Sequence, residues 1–242
     1  MIEPDQWNTS QKILVVLAHP DDPEFFCGAT LAKWASAGHR ISYCLLTCGD
    51  KGTQDQRIQP GELCTIRQNE QRAAAASLGV EKVIFLGYPD GYLVADLDLR
   101  RAVTRIIRIE RPDILITCDP TTLYSSETRL NHPDHRAAGQ AALDAVFPAA
   151  RDRLYFPELI EIEHLDPWVV REVWVSGTLS PTVRIDVTAF WGRKIKAILE
   201  HKSQVLDVDA LVKRMQDRYI LESPPGKPRY EETFRRLIIG QV

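Results

Sequence analysis

The sequence predicts a single α/β domain built on a Rossmann-like, mainly parallel sheet flanked by helices. Three observations carry that expectation. Short apolar, β-branched runs alternate with helix-like stretches through the first two-thirds of the chain, and the connections between them are short. The 242 residues also contain no linker that would divide them. Alternation of this kind builds parallel strands joined by crossover helices. The length suffices for one substantial core.

The first strand is the apolar run 13–17, whose length and β-branched content suit a buried strand. Residues 28–38 carry Leu31, Trp34 and Ala35 at helical spacing, and Gly38 supplies a stop. The next strand is 41–47. A polar loop follows to about Pro60 and includes Gly49-Asp50-Lys51-Gly52. Residues 62–78, rich in Ala, Glu, Gln and Arg and closed by Gly79, form a strong helix candidate. A short strand at 83–86 leads into the turn Gly87-Tyr88-Pro89-Asp90-Gly91. A helix at 97–110 is ended by Pro112, and 114–117 is another strand. Residues 119–133 read as a polar loop, and 137–146 as an Ala-rich helix with His135 at its N-terminus. The last third offers strands at 153–156, 171–175 and 183–186 and a helix at 189–205. A solvated loop at 222–228 precedes a segment, 233–239, that returns to the body.

Composition excludes several functions. The apolar fraction of 44% and charged fraction of 26% are those of an ordinary soluble globular protein. Thirty Lys and Arg against 33 Asp and Glu give a charge of -3, and the basic residues are scattered, which leaves no footprint for nucleic acid. No apolar run approaches the roughly 18–20 residues that span a bilayer. The first twelve residues lack both a basic and an apolar signal region, so the expectation is a cytoplasmic protein. Five cysteines, odd in number and without a CxxC pair, argue against a disulfide framework or a Cys-type zinc site. Cys44 and Cys118 read as small core residues.

The chemistry lies in two clusters. His19-Pro20-Asp21-Asp22, with Glu24 close behind, follows the first strand, where open α/β sheets place their ligands. An imidazole and two carboxylates in four positions are costly to bury together, and a divalent cation offsets that cost. A second cluster, His132-Pro133-Asp134-His135, comes after the strand at 114–117. Singly, an Asp-Asp after a strand is commonly a helix cap and a His-Pro a turn. Together they indicate one metal site assembled across adjacent strand ends. Nitrogen and oxygen ligands suit zinc, with other first-row divalent metals in competition. Side chains of the adjacent Asp21 and Asp22 diverge, so one can bind metal while the other serves as general base. In the second cluster one imidazole can ligate while the other faces substrate, with Asp134 orienting or charging one of the rings. No G-x-G-x-x-G follows the first strand, so nucleotide binding is weakly supported.

These residues resemble the PIG-L/LmbE-like metal-dependent N-deacetylases, marked by Ala-His-Pro-Asp-Asp and a later His-Pro-Asp-His. Here the motifs are residues 18–22 and 132–135. The resemblance continues through Gly49-Asp50-Lys51-Gly52, Arg67 and Glu70 with Leu78-Gly79, Tyr88-Pro89-Asp90-Gly91, and Lys196 with His201-Lys202-Ser203-Gln204. It covers roughly residues 12–205 of a single domain spanning 1–242, leaving 206–242 as a C-terminal extension. Pro23, between Asp22 and Glu24, varies the pattern.

The resemblance implies His19, Asp22 and His135 as ligands of Zn2+, with Fe2+ or Mn2+ as alternatives. It implies Asp21 as general base, and His132, supported by Asp134, as stabiliser of the oxyanion during hydrolysis of an N-acetyl group. Arg67 and Asp90, otherwise an ordinary helix-face residue and a plain turn residue, become contacts to an amino-sugar substrate. A homo-oligomer is a further expectation. Asp50 and Lys51 read as loop-shaping residues, His201 as structural, and Trp168, Trp174 and Trp191 as packing residues. Rival readings are an amidase acting on a thiol conjugate and a non-catalytic carbohydrate- or metal-binding protein.

Overall fold

The computed structural model describes residues 5–239. In chain order the elements are β1 (Lys12–Leu17), α1 (Asp22–Ser36), β2 (Arg40–Thr47), α2 (Pro60–Leu78), β3 (Lys82–Tyr88), α3 (Leu97–Glu110) and β4 (Ile114–Cys118). A hairpin, β5 (Tyr124–Ser126) and β6 (Arg129–Leu130), precedes α4 (Pro133–Asp144) and α5 (Glu158–Glu161). Then come β7 (Glu172–Ser176), β8 (Val183–Asp186), α6 (Trp191–Leu199), α7 (Val208–Gln216) and β9 (Glu231–Ile238).

Seven strands form the main sheet in the order β3-β2-β1-β4-β7-β9-β8. The first five run parallel, as the sequence predicts, whereas β9 is antiparallel to both neighbours. Helices α1, α2 and α6 pack together, as do α3 and α4. Right-handed crossovers put these two groups on opposite faces of the sheet. Being covered on both faces, β1 from Ile13 onward and all of β4 are buried and continuously apolar but for Thr117. From β1 the chain winds outward through β2 and β3, then returns to β4 on the other side of β1. That reversal opens a crevice beyond the C-terminal ends of β1 and β4. Both His/Asp clusters follow these two strands.

Several elements depart from the sequence reading. The first helix begins at Asp22 rather than residue 28, because Pro23 fits a first turn and Asp22 and Glu24 favour its positive end. It is kinked at Cys27 (φ -147°, ψ 17°). Two groups that a straight helix pairs with each other are taken by buried side chains there. Ala29 N–H donates to Glu232 at 3.2 Å, and Lys194 Nζ donates to the Phe25 carbonyl at 2.9 Å. Glu232 also accepts from Thr30 N–H at 2.7 Å and from Lys194 at 2.5 Å. These bonds satisfy a charge pair that burial alone would make costly.

The expected strand at 153–156 is instead irregular. Buried Arg108 binds the carbonyls of Ala149, Ala150, Asp152 and Tyr155, so the segment curls around one guanidinium. The helix expected over 189–205 stops at Leu199, and a turn follows in which the His201 carbonyl accepts from Gln204 and Val205 N–H. Helix α7 was not anticipated; the Asp207 carboxylate caps it by accepting from Ala210 N–H. The C-terminal segment returns to the body, as expected, and supplies β9 as an inner strand. Cys48 and Cys64 form a disulfide, against the expectation from their number and spacing, because the loop after β2 folds back onto the start of α2. Cys44 and Cys118 are buried, as expected. Among the described residues no helix is long and apolar enough to cross a membrane.

Candidate active site

Four residues, Ala18 to Asp21, carry the chain from β1 into α1. The Ala18 carbonyl accepts from both the N–H and the hydroxyl of Thr47, which fixes the strand's exit beside β2. His19 N–H then donates to Asp22 Oδ2 at 2.8 Å. Asp21 takes up the turn with φ 85°, a left-handed conformation uncommon outside glycine. Asp22 therefore enters the first helical turn pointing inward while Asp21 diverges from it, as the adjacent-carboxylate argument requires.

The second cluster opens α4. His132 is its N-cap, and its Nδ1 accepts from Asp134 N–H at 3.2 Å. Asp134 is wholly buried and accepts from Gly91 and Leu93 N–H at 2.7 and 3.2 Å. His135 directs Nδ1 to Asn131 Oδ1 at 3.1 Å and Nε2 to Asp22 Oδ1 at 3.0 Å. Asn131 thus fixes which ring nitrogen of His135 faces inward.

The two clusters meet at His19. Its Nδ1 lies 3.4 Å from Asp22, and its Nε2 lies 3.1 Å from Asp90 and 3.2 Å from Asp134. One ligand atom each from His19, Asp22 and His135 falls within a 4.8 Å span, and so does one each from His19, His132 and Asp134. Burial opposes a charge on His19, yet bonds to Asp134, Asp22 and Asp90 push it up to about 12. Burial likewise opposes the Asp22 charge, but His135 and His19 hold that carboxyl well below its usual range. Three buried carboxylates around one imidazole demand positive charge. The donor set of two imidazoles and a carboxylate is one that zinc accepts, so the residues fit a divalent metal.

Asp21 stands just outside this set. Burial raises its carboxyl to about 6, although Arg67 pulls in the opposite direction. Arg67 is itself buried rather than on a solvated helix face. It donates to the carbonyls of Pro20 and Gly49 at 2.7 and 3.0 Å and to Asp21 Oδ2 at 3.3 Å. A Cβ on either Gly49 or Gly52 would fall 2.3 Å from its Nη1, so this pair of glycines forms the cradle for the guanidinium. The disulfide ties Cys48, at the start of that cradle, to Cys64 one turn before Arg67.

Asp90 faces His19 and accepts from Lys51 N–H at 3.1 Å, while Asp50 accepts from Asp90 N–H at 3.3 Å. Asp50 and Lys51 therefore shape the neighbouring turn, as expected. The Asp134 carboxylate bonds to His19, not to His132. Of the two rings in its own motif it hydrogen-bonds neither, because the loop amides at Gly91 and Leu93 turn it away. His201 bonds Glu24 rather than the ligand set, in keeping with its structural reading. Trp174 and Trp191 are buried, and the partly buried Trp168 donates to the Pro112 carbonyl.

Sequence reasoning missed Asn131 and Gln71. Asn131 had an available signal in its place directly before His132. Gln71 lies four residues after Arg67, hence on the same helical face, and its Oε1 accepts from Asp21 N–H at 2.8 Å.

A doubly wound sheet with a His/carboxylate centre at its switch point defines the class, a hydrolase of the LmbE-like deacetylase fold. Residues 14–146 match the family described as PIG-L, GlcNAc-PI de-N-acetylase, and the chain belongs to that family. It is 32% identical over 200 residues to the diacetylchitobiose deacetylase of Thermococcus kodakarensis, covering 83% of this chain and 72% of that one. Similarity to 1D-myo-inositol 2-acetamido-2-deoxy-alpha-D-glucopyranoside deacetylase 2 of Saccharopolyspora erythraea is 32% identity, covering 66% of this chain and 63% of the relative. The solved structure of N,N'-diacetylchitobiose deacetylase from Pyrococcus horikoshii, complexed with its inhibitor MPG, matches with a TM-score of 0.86 and 28% identity. That match covers 97% of this chain and 86% of the other.

Proposed function

We propose that this protein hydrolyses the N-acetyl group of an N-acetylglucosamine-type sugar or glycoconjugate, with zinc held by His19, Asp22 and His135. The observation that carries this reading is Asp21, a half-buried carboxylate beside the ligand set but not part of it. When bound, zinc supplies Lewis acidity toward the amide carbonyl and acidifies water. Asp21 takes the proton as water attacks and returns it to the departing amine. His132 has Nδ1 committed to the Asp134 amide, which leaves Nε2 as its free nitrogen for the developing oxyanion. Asp134 acts on His132 through space while holding His19 and the loop at 91–93 in place. Asp90, beside His19, accepts a sugar hydroxyl. Arg67 serves the substrate through Asp21 and the loop after β2. Assembly into a homo-oligomer belongs to the same reading and is checked by light scattering.

The test is acetate release by zinc-loaded protein from N-acetylglucosamine, its disaccharide and its glycosides. Release from at least one is expected. Inactivity on all three with metal bound overturns the reading and favours an amidase for other amides. A cytoplasmic location is proposed from the sequence, and the reductants of that compartment oppose the Cys48–Cys64 disulfide. A thiol count on protein isolated without reductant decides whether the bond forms there.

A further inference from the structure

Asp21 is held in a conformation it would not choose. A non-glycine residue in the left-handed region is strained and persists only where its surroundings over-determine it. Two side chains of α2 supply that constraint, one turn apart on a single face. Arg67 grips the Asp21 carboxylate and the carbonyl before it, and Gln71 accepts the Asp21 N–H at 2.8 Å.

A carboxamide can present oxygen or nitrogen to either neighbour, so something must orient Gln71. Its Nε2 donates to both oxygens of Glu24 at 3.0 Å. Both Glu24 oxygens act as acceptors there, which commits the amide nitrogen to Glu24 and leaves the oxygen for the Asp21 N–H. Glu24 is held in turn by His201 Nε2 at 3.2 Å, and Gln71, Glu24 and His201 are all fully buried. The turn carrying His201 is locked by its carbonyl bonds to Gln204 and Val205. Ser203 docks the same turn on α2 by donating from N–H and hydroxyl to Glu70. Among the described residues none of the three hydrogen-bonds His19, Asp22 or His135.

We propose that Gln71 is a positioning residue for Asp21, oriented by a buried relay of Glu24 and His201 that is separate from the metal ligands. The inference rests on the proposed role of Asp21 as base. The relay sets the backbone of Asp21, and through it the direction from which the carboxylate meets water. A misplacement of the order of 1 Å at a reacting group can cost about a hundredfold in rate.

The experiment compares wild type with Gln71→Met, which removes the hydrogen bonds at similar volume, and Gln71→Asn, which keeps the amide but shortens its reach. Both are expected to lose about tenfold or more in kcat, with KM within about twofold and zinc stoichiometry unchanged. In an Asp21→Asn background the same substitutions should add nothing further, because Gln71 works through Asp21. A readout independent of turnover is exchange of the Asp21 amide hydrogen. It should accelerate about tenfold in Gln71→Asn and in His201→Asn while the β1 amides keep their protection. Wild-type kcat per folded, zinc-loaded molecule in the Gln71 variants, or an unchanged Asp21 exchange rate, overturns the relay. Full activity in Asp21→Asn alone overturns the base assignment instead.

Discussion

Two groups of buried charge flank the first turns of α1, and they differ in whether their charges cancel. Beneath the kink, Lys194 and Glu232 form one cation and one anion, with backbone groups of α1 taking their remaining bonds. At the crevice, Asp22, Asp90 and Asp134 crowd one imidazole of His19, and the negative charge is in surplus. The first group is closed and serves the backbone. The second is open and calls for a cation. Burial alone therefore does not distinguish a structural cluster from a reactive one; the unbalanced charge does.

The largest effect that tests this contrast is at Asp21, beside the open group. Asp21→Ala is expected to retain zinc while turnover falls about 10³-fold; full activity would remove the base assignment. In the closed group Lys194→Met leaves Glu232 buried without its cation. A loss of about 3 kcal/mol is expected in denaturant unfolding, and unchanged stability would show that the pair is dispensable. Zinc at about a hundred times its Kd should stabilise the wild type by about 2.7 kcal/mol. EDTA should reverse that gain along with activity, and His135→Ala should abolish it. Gly49→Ala, which drives a Cβ into Arg67, should lower kcat about tenfold through Asp21.

The smallest effect is set by pH. Burial opposes the charge on Glu172, but bonds from Arg236, Trp174 and Trp7 hold its carboxyl below the usual range. A depressed carboxyl contributes stability above its unfolded pKa, and that contribution is lost as pH falls through the folded value. Below about pH 4 melting temperature should drop, and Glu172→Gln should flatten that acid limb. An identical acid limb in the variant would show that Glu172 is not the group responsible.

The site was legible where the chemistry is local. His19, Asp22 and His135 lie in short motifs after strands, and the sheet order sets the ends of β1 and β4 side by side. Leu97–Glu110 and Val183–Asp186 appear with the bounds the sequence predicts. The start of α1 was also readable, since Pro23 after two Asp residues is a helix N-terminal signal that an apolar periodicity search passes over. What escaped depends on distant partners. Arg67 looks like a solvated Arg until the loop at 49–52 closes over it. Nothing near Arg153 reports that Arg108 will claim the carbonyls around it. Cys48 and Cys64, 16 residues apart, are joined by a loop whose path the sequence does not encode locally. Similarly, no local signal tells β9 to enter between two earlier strands.

That late insertion also orders assembly in time. Strands β1 to β4 and the helices between them can associate as soon as they are made, but the kink in α1 must wait for residue 232. Glu232 reaches back some 200 residues in sequence to the amides of Ala29 and Thr30. A chain stopped before residue 231 would keep every proposed ligand and the general base. It would lack the brace that sets the helix on which Asp22 and Glu24 stand.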